Sequence, residues 1–282
     1  MMNPIISPGE LVILKQEKEK PIKLVDARSG PDARGRYEEL QLQGALWVDL
    51  EQDLADIKDD LSQGGRHPLP EPEHFSGLLG RLGITPESHV VVYDDKGGAF
   101  AAARFWWMMN AAGHEQIQVL DGGLDAGLKA GFPAGSGPET VASVEPYPFK
   151  AWQLKTVSMQ EVAATATDPE FLVIDVREEE RFRGEAEPID LIAGHIPGAV
   201  NLPYTNNLDP EGYYLPHETL GRMYTEIAGN YDPSKVIVHC GSGVTACHTI
   251  LAMAKAGMKI PALYTGSWSE WSRNDRTIAT GK

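Results

Sequence analysis

Short apolar runs alternate with helical patterns along the whole chain. Residues 171–176 have the composition of a buried β-strand, and residues 158–167 have the pattern of a helix. At the start of that helix, Ser158 and Glu161 have the spacing of an N-terminal capping box. Strands that alternate with helices form mostly parallel sheets with helices on both faces. The pattern therefore predicts an α/β fold.

The chain repeats this pattern once. Residues 24–28 match residues 173–177, and both segments end in Asp-x-Arg. In the same order, residues 90–94 match 236–240, and residues 120–124 match 264–268. A separation near half the chain indicates a duplicated domain rather than a short solenoid repeat. The predicted organisation is as follows: an N-terminal domain at 1–132, a Pro-rich linker at 133–152 and a C-terminal domain at 153–282.

Charge and composition narrow the classes of partner. The formal charge of −15 opposes binding to nucleic acid or to acidic membranes, although it also serves solubility. No run approaches the roughly 18 apolar residues of a membrane-spanning helix. Pro4, Pro8 and Glu10 interrupt the stretch that would be apolar in a signal peptide. We therefore expect a cytoplasmic protein that acts on a small molecule or a protein.

Cys240 has the sequence setting of a reactive thiol. It follows a predicted buried strand and precedes the turn Gly241-Ser-Gly243, which leads into a helix. Ligands of open α/β sheets bind at the carboxyl ends of strands, and the amides of such a turn form a nest for an anion, here the thiolate. The alternative, a small buried apolar residue, does not explain the turn. Cys247 lies within the helix, where we expect a core residue, and no structural disulfide is expected.

A His-Cys pair at a strand end is also typical of Cys-dependent phosphatases and arsenate reductases. Their loop ends in an arginine that binds the phosphoryl group, but Ala246 holds that position here. Neither Ser242 nor Thr245 offers a bidentate fork in its place. The loop suits a single sulfur anion better. A non-catalytic sulfur-binding module is a further alternative, and the intact loop argues against it.

These residues resemble the tandem-domain rhodaneses, a sulfurtransferase family that includes the 3-mercaptopyruvate and thiosulfate sulfurtransferases. Besides the loop at 240–246, the resemblance rests on segments spread over nearly the whole chain: Arg66-His-Pro-Leu-Pro70, Arg104-Phe-Trp-Trp107, Asp175-Val-Arg177, Arg181-Phe-Arg183-Gly184, Gly194-His-Ile-Pro-Gly-Ala199 and Gly266-Ser-Trp-Ser-Glu-Trp271. It implies two rhodanese-like domains, of which only the second is catalytic, because Asp94 occupies the position of the cysteine in the first copy.

The resemblance implies roles around the cysteine. Cys240 would carry sulfur as a persulfide, stabilised by the loop residues Gly241, Gly243, Val244 and Thr245. Arg181 would bind the anionic end of the donor, unless it only pairs on the surface with the acidic residues at 178–180. The mercaptopyruvate enzymes have a second arginine for the donor, but the shorter stretch at 187–190 contains none.

His67 and Ser242 match a pair thought to relay a proton in the manner of a serine protease. The sequence leaves open which residue is the acid of that relay. Any of four acidic residues, or none of them, could orient the imidazole: Asp49, Glu51, Asp53 and Asp56. His67 as an ordinary loop histidine is the alternative.

The implied reaction moves sulfur from a small anionic donor to Cys240 and then to a thiol, cyanide or a thioredoxin-like dithiol. It requires neither a metal nor an organic cofactor. Rhodaneses specialised for thiosulfate usually have Arg and Lys after the cysteine, which suit a dianion. Gly241 and Ser242 are neutral and favour the monoanionic 3-mercaptopyruvate, with thiosulfate as the alternative donor.

Overall fold

The computed structural model of the chain describes residues 2–16 and 22–281, so the outer ends of the predicted domains, residues 1 and 282, lie outside it. The chain divides into two compact units, and neither is continuous in sequence. The first comprises Met1–Ala55, Pro70–Gln153 and Gly212–Tyr214; the second comprises Asp56–Leu69, Leu154–Glu211 and Leu215–Lys282. The segment Asp56–Leu69, from the first half of the sequence, thus belongs to the second unit.

The first unit alternates strands and helices. Its elements are β1 (Ile5–Ile6), α1 (Pro8–Gln16), β2 (Lys23–Arg28), α2 (Ala33–Glu39), β3 (Gln41–Leu42), β4 (Leu46–Asp49), α3 (Leu50–Asp53), α4 (Pro72–Arg81), β5 (Val90–Tyr93), α5 (Ala101–Ala111), β6 (Ile117–Leu120), α6 (Gly123–Lys129) and β7 (Ala134–Gly135). A five-stranded parallel sheet has the order β1-β6-β5-β2-β4. β7, at the start of the predicted linker, pairs antiparallel with β3.

The second unit repeats the arrangement with fewer strands. Its elements are α7 (Met159–Thr165), β8 (Leu172–Asp175), α8 (Glu179–Arg183), β9 (Val200–Asn201), α9 (His217–Ala228), β10 (Val236–His239), α10 (Thr245–Lys255), β11 (Ala262–Leu263) and α11 (Ser267–Trp271), with 3₁₀ helices at Tyr204–Asn207 and Pro233–Lys235. Its parallel sheet has the order β11-β10-β8-β9. The predicted capping box is present, because Ser158 and Glu161 each accept the other's backbone N–H at the start of α7.

The two sheets confirm the predicted fold class. β6, β5, β2 and β4 of the first unit correspond in order to β11, β10, β8 and β9 of the second. Apolar strand residues meet helix residues in each core: Leu24 and Val91 share a buried cluster with Leu11 of α1, and Val173 and Ile237 share another with α11. Among the described residues, no helix is long and apolar enough to cross a membrane.

The repeated Asp-x-Arg sequence forms the same buried ion pair in each unit. Arg28 binds both oxygens of Asp26, with Nε and Nη2 at 2.8 and 2.7 Å. Arg177 binds Asp175 in the same way, with an Nη2 to Oδ2 distance of 2.6 Å. Burial alone would raise the pKa of Asp175, but the Arg177 guanidinium outweighs it and holds that pKa below its usual value. Each pair ties the end of a central strand to the chain that follows it.

Candidate active site

Cys240 is the first residue after β10, and its backbone is held on both sides by the start of α11. Its N–H donates to Ser267 Oγ at 3.2 Å, and its carbonyl accepts the N–H of Trp268 at 3.0 Å. Ser267 has a φ of 54°, a left-handed conformation that a non-glycine residue adopts at some cost. The thiol itself is buried, with 1% of the residue exposed. The cysteine is therefore fixed at the carboxyl end of a central strand.

The loop after Cys240 presents backbone amides that have no protein acceptor. Within the described part of the chain, the N–H groups of Gly241, Ser242 and Val244 donate to no protein atom. Gly243 has a φ of +76°, and a Cβ there would lie 2.6 Å from the Thr265 carbonyl oxygen, so only glycine fits. α10 begins at the end of this loop. Amides and a helix N-terminus together favour an anion at this position.

The corresponding loop of the first unit already holds an anion of its own. The Asp94 carboxylate accepts four backbone N–H groups, at distances from 2.7 to 3.2 Å, which come from Lys96, Gly98, Phe100 and Ala102. Asp94 is 1% exposed. The first loop is thus a nest filled by its own side chain, and it offers no thiol for sulfur.

Replacing Asp94 by alanine is expected to destabilise the first unit by about 2 to 4 kcal/mol, because four buried amides would lose their acceptor. Urea denaturation measures this loss. The matched control is Asp125→Ala, which removes an exposed carboxylate from the first turn of α6 and should cost less than about 1 kcal/mol. Equal losses in the two variants would contradict the assignment of Asp94 as the anion that organises this loop.

Ser242 and His67 meet in the structure. His67 Nδ1 lies 2.8 Å from Ser242 Oγ, and the serine is 5% exposed. The four acids considered from the sequence each bind other groups: Asp49 caps α3, Asp53 accepts the Asp49 N–H, Glu51 accepts the Gly30 N–H and Asp56 pairs with Lys58. The hydroxyl and the imidazole are therefore within hydrogen-bonding distance of each other, and the identity of an orienting acid stays open.

The segment Asp56–Leu69 reaches this site because its backbone binds α11 and the residues after it. The N–H of Gly64 donates to Glu270 at 3.0 Å, the N–H of Arg66 donates to Ser269 Oγ at 3.0 Å, and Asn274 Nδ2 donates to the Ser62 carbonyl at 3.1 Å. These three bonds hold the backbone at Ser62, Gly64 and Arg66, directly before His67. They bring the backbone of this segment to α11, and the side chains of Arg66 and His67 contact Asp190 and Ser242.

Arg181 is buried rather than on the surface. Its Nε lies 3.0 Å from Glu187 Oε1, and its Nη2 lies 3.1 Å from Asp190 Oδ2. Glu178, one of the acids proposed for a surface pair, is the more distant contact at 3.5 Å. Burial alone would raise the pKa of Glu187, but the Asp190 N–H and Arg181 hold that pKa below its usual value. Arg181 therefore stays charged among paired carboxylates.

Asp190 joins three arginines, a feature that the sequence reading missed. Its fully buried carboxylate is bound by Arg66 Nε at 3.1 Å, Arg181 Nη2 at 3.1 Å and Arg273 Nη1 at 3.3 Å. Asp190 ends the stretch at 187–190, which contains no arginine. Arg66 was within reach of sequence analysis, because it precedes His67 in a segment that resembles the family.

The two cysteines differ in their surroundings, and both are free. Cys247 is fully buried in α10, and its Sγ donates to the Gly243 carbonyl at 3.2 Å. That contact supports the loop without exposing the thiol to a ligand.

His239, directly before Cys240, has its pKa lowered by complete burial, so its imidazole is neutral beside the strand end.

Comparison with known proteins identifies the family. A model described as "Rhodanese-like domain" matches residues 10–130 and 158–274. A probable 3-mercaptopyruvate sulfurtransferase of Pseudomonas aeruginosa is 40% identical over 87% of this chain and 86% of its own. The human 3-mercaptopyruvate sulfurtransferase is 38% identical over 93% and 90%, and the Gallus gallus thiosulfate sulfurtransferase is 36% identical over 89% and 86%.

A solved structure shows the same fold. The 3-mercaptopyruvate sulfurtransferase from Leishmania major superimposes with a TM-score of 0.82 at 30% identity, covering 95% of this chain and 74% of that one. The resemblance seen in the sequence is thereby confirmed. The chain belongs to the rhodanese family, with two rhodanese-like domains, and is a sulfurtransferase.

Proposed function

We propose that this sulfurtransferase takes sulfur from 3-mercaptopyruvate and passes it to a thiol, cyanide or a thioredoxin-like dithiol through a Cys240 persulfide. Ser242 lies two residues after Cys240 in the loop. The observation that carries the proposal is the 2.8 Å contact between Ser242 Oγ and His67 Nδ1. A proton source is needed when the donor leaves as a carbon anion. Thiosulfate does not need one, because it leaves as sulfite.

In the first half-reaction, the Cys240 thiolate attacks the sulfur of 3-mercaptopyruvate. A sulfur–sulfur bond forms, the carbon–sulfur bond breaks, and its electron pair goes to the departing carbon as the enolate of pyruvate. The Ser242 hydroxyl protonates that carbon and recovers a proton from His67. The amides of the loop, from Gly241 to Thr245, stabilise the negative charge on the transferred sulfur.

In the second half-reaction, the acceptor attacks the outer sulfur of the persulfide and the Cys240 thiolate is released. The cycle is ping-pong and uses side chains and backbone alone. The first unit takes no part in the chemistry, since its loop holds Asp94 at the cysteine position. A cytoplasmic location is part of this proposal, supported by two free cysteines.

Arg181 is proposed to bind the anionic end of the donor. Arg181→Ala should cost about 1.5 to 3 kcal/mol in kcat/KM, mainly as a higher KM, because a hydrogen bond to a charged group is lost. Steady-state kinetics measure the effect. The control is Arg183→Ala. Arg183 is an exposed arginine of the same helix, and it pairs with Glu179. Unchanged kinetics for Arg181→Ala would reduce its role to the pairs with Glu187 and Asp190.

Thiosulfate is the second candidate donor, and the arginines around Asp190 favour it because a dianion gains more from nearby cations. The deciding experiment is steady-state turnover of 3-mercaptopyruvate and thiosulfate side by side, with cyanide as the common acceptor. A higher kcat/KM for 3-mercaptopyruvate supports the proposal. A preference for thiosulfate would overturn the donor assignment and leave the persulfide chemistry in place.

A further inference from the structure

We propose that residues 186–192, the rim segment, form a docking surface for a protein acceptor of sulfur. The acceptor is a segment whose cysteine is flanked by apolar and basic side chains. The inference rests on the proposed function, because it names the partner of the second half-reaction. In that step the acceptor thiolate attacks the outer sulfur of the Cys240 persulfide. A sulfur–sulfur bond forms on the acceptor, and the bond to Cys240 breaks with its electron pair on the Cys240 sulfur.

The rim segment has its charged side chains inside and its apolar side chains outside. Glu187 and Asp190 face arginines, and their side chains are 4% and 0% exposed. The apolar residues beside them, Ile189, Leu191 and Ile192, are 54, 66 and 45% exposed. Single exposed apolar residues are normal on a protein surface, but a group of them marks an interaction site. Three such residues within four positions therefore indicate a surface that a partner covers.

The rim segment lies beside the cysteine loop. A Cβ placed on Gly241 would lie 3.5 Å from Oδ2 of Asp190, which stands at the centre of the apolar group. The Ile192 carbonyl accepts the indole N–H of Trp268 at 2.8 Å, and the backbone N–H of Trp268 binds the Cys240 carbonyl at 3.0 Å. Cys240 is 1% exposed, so a protein acceptor has to reach inwards with its thiol. The chain on either side of that thiol then lies against the rim segment.

Hydrogen bonds within the rim segment hold it in one conformation. The backbone N–H groups of Ile189 and Asp190 both donate to Glu187 Oε1, at 3.1 and 3.0 Å. Arg181 binds the same carboxylate at 2.9 Å. A surface that is already ordered loses little freedom when a partner binds, so more of the apolar contact contributes to affinity.

The charge around the rim segment selects a basic partner. The four glutamates that precede it along the chain are exposed, and Arg183 pairs with one of them: Glu178, Glu179, Glu180 and Glu185. In a symmetric dimer the same patch faces itself, so a second copy of this chain would set these glutamates against each other. A partner with lysine or arginine beside its cysteine gains attraction instead. Charge complementarity thus favours a basic acceptor over self-association.

The test uses three synthetic peptides of equal length, each with one central cysteine. Leucine and lysine surround the cysteine in the first peptide, leucine and glutamate in the second, and serine and lysine in the third. A matched set with serine in place of cysteine cannot accept sulfur and reports binding alone, measured by fluorescence anisotropy. Sulfur transfer from the Cys240 persulfide is measured with the cysteine peptides and with cyanide.

We expect the wild type to bind the leucine–lysine peptide about 10-fold more tightly than either of the others, with sulfur transfer in the same order. The double variant Ile189→Ser with Leu191→Ser should bind that peptide about 5- to 20-fold less tightly, because two apolar contacts are lost. Its turnover with cyanide should change less than about twofold, since cyanide is too small to need the rim segment. The matched control is Ile13→Ser in α1, where the isoleucine is 63% exposed, and it should change neither.

A charge variant tests the other half of the inference. Glu180→Lys with Glu185→Lys should remove the preference for the leucine–lysine peptide over the leucine–glutamate peptide, and added salt should weaken that preference in the wild type. Equal affinity of the wild type for the three serine peptides would overturn the inference. An effect of Ile13→Ser as large as that of the double variant would also overturn it, as would a loss of cyanide turnover in the double variant.

The serine peptides separate this inference from the proposed function, because their binding needs no sulfur chemistry. If no persulfide forms with 3-mercaptopyruvate, the donor assignment fails, and the order of peptide affinities still decides whether the rim segment is a docking surface. If sulfur reaches cyanide but the peptides bind alike, the proposed function stands and the docking surface is rejected. Self-association in sedimentation that the double variant loses would assign the surface to a second copy and overturn the inference.

Discussion

Cys240→Ser is expected to abolish sulfur transfer from every donor. A serine hydroxyl is a poor nucleophile towards sulfur and cannot carry a sulfur atom as a persulfide. Loss of a catalytic nucleophile costs on the order of 10⁶-fold in kcat in a well-studied hydrolase. Intact-mass measurement after donor treatment gives the direct readout: the wild type gains one sulfur atom and loses it to cyanide, whereas Cys240→Ser gains none.

Cys247→Ser is the matched control for this experiment. Its Sγ donates to the Gly243 carbonyl, and a serine hydroxyl can donate to the same acceptor. Most of the turnover and the whole gain of one sulfur should therefore remain. A sulfur atom that still appears on Cys240→Ser, or that disappears in Cys247→Ser, would move the carrier role away from Cys240.

The sequence predicts the cysteine loop well because its signals are local. An apolar run before Cys240 gives the strand β10, and the Gly-x-Gly turn after it gives the amide nest. The repeat of Asp-x-Arg gives two central strands with the same buried pair. Each of these features depends on a few consecutive residues, whose periodicity and turn chemistry are visible without any tertiary information.

The three arginines that bind Asp190 could not be predicted in the same way. Arg66 and Asp190 are 124 residues apart, and an ion pair between distant residues leaves no periodic signal in a sequence. The placement of Arg66 depends on the segment Asp56–Leu69 binding α11 by its backbone, through bonds such as that of Gly64 with Glu270. The motif identifies Arg181, whose partners Glu187 and Asp190 are only 6 and 9 residues away, but the contacts of Asp190 with Arg66 and Arg273 are long-range. Tertiary packing therefore decided how the anion site is built.

Ser242→Ala is expected to separate the two candidate donors. The hydroxyl lies 2.8 Å from His67 and is proposed to protonate the carbon that leaves 3-mercaptopyruvate. Loss of a positioned proton donor costs about 10²- to 10⁴-fold in rate, so kcat with 3-mercaptopyruvate should fall by that order while KM changes little. Thiosulfate releases sulfite, a weak base that needs no proton, so turnover of thiosulfate should fall less than about threefold.

The control and the double variant make this result specific. Ser272→Ala removes another buried hydroxyl of the same unit and should leave both donors unaffected. His67→Ala should reproduce the selective loss, and the double variant with Ser242→Ala should lose little more than either single change, because the two groups act as one relay. If Ser242→Ala slows both donors equally, the hydroxyl stabilises the loop or the transferred sulfur, and the proton must reach the departing carbon from water.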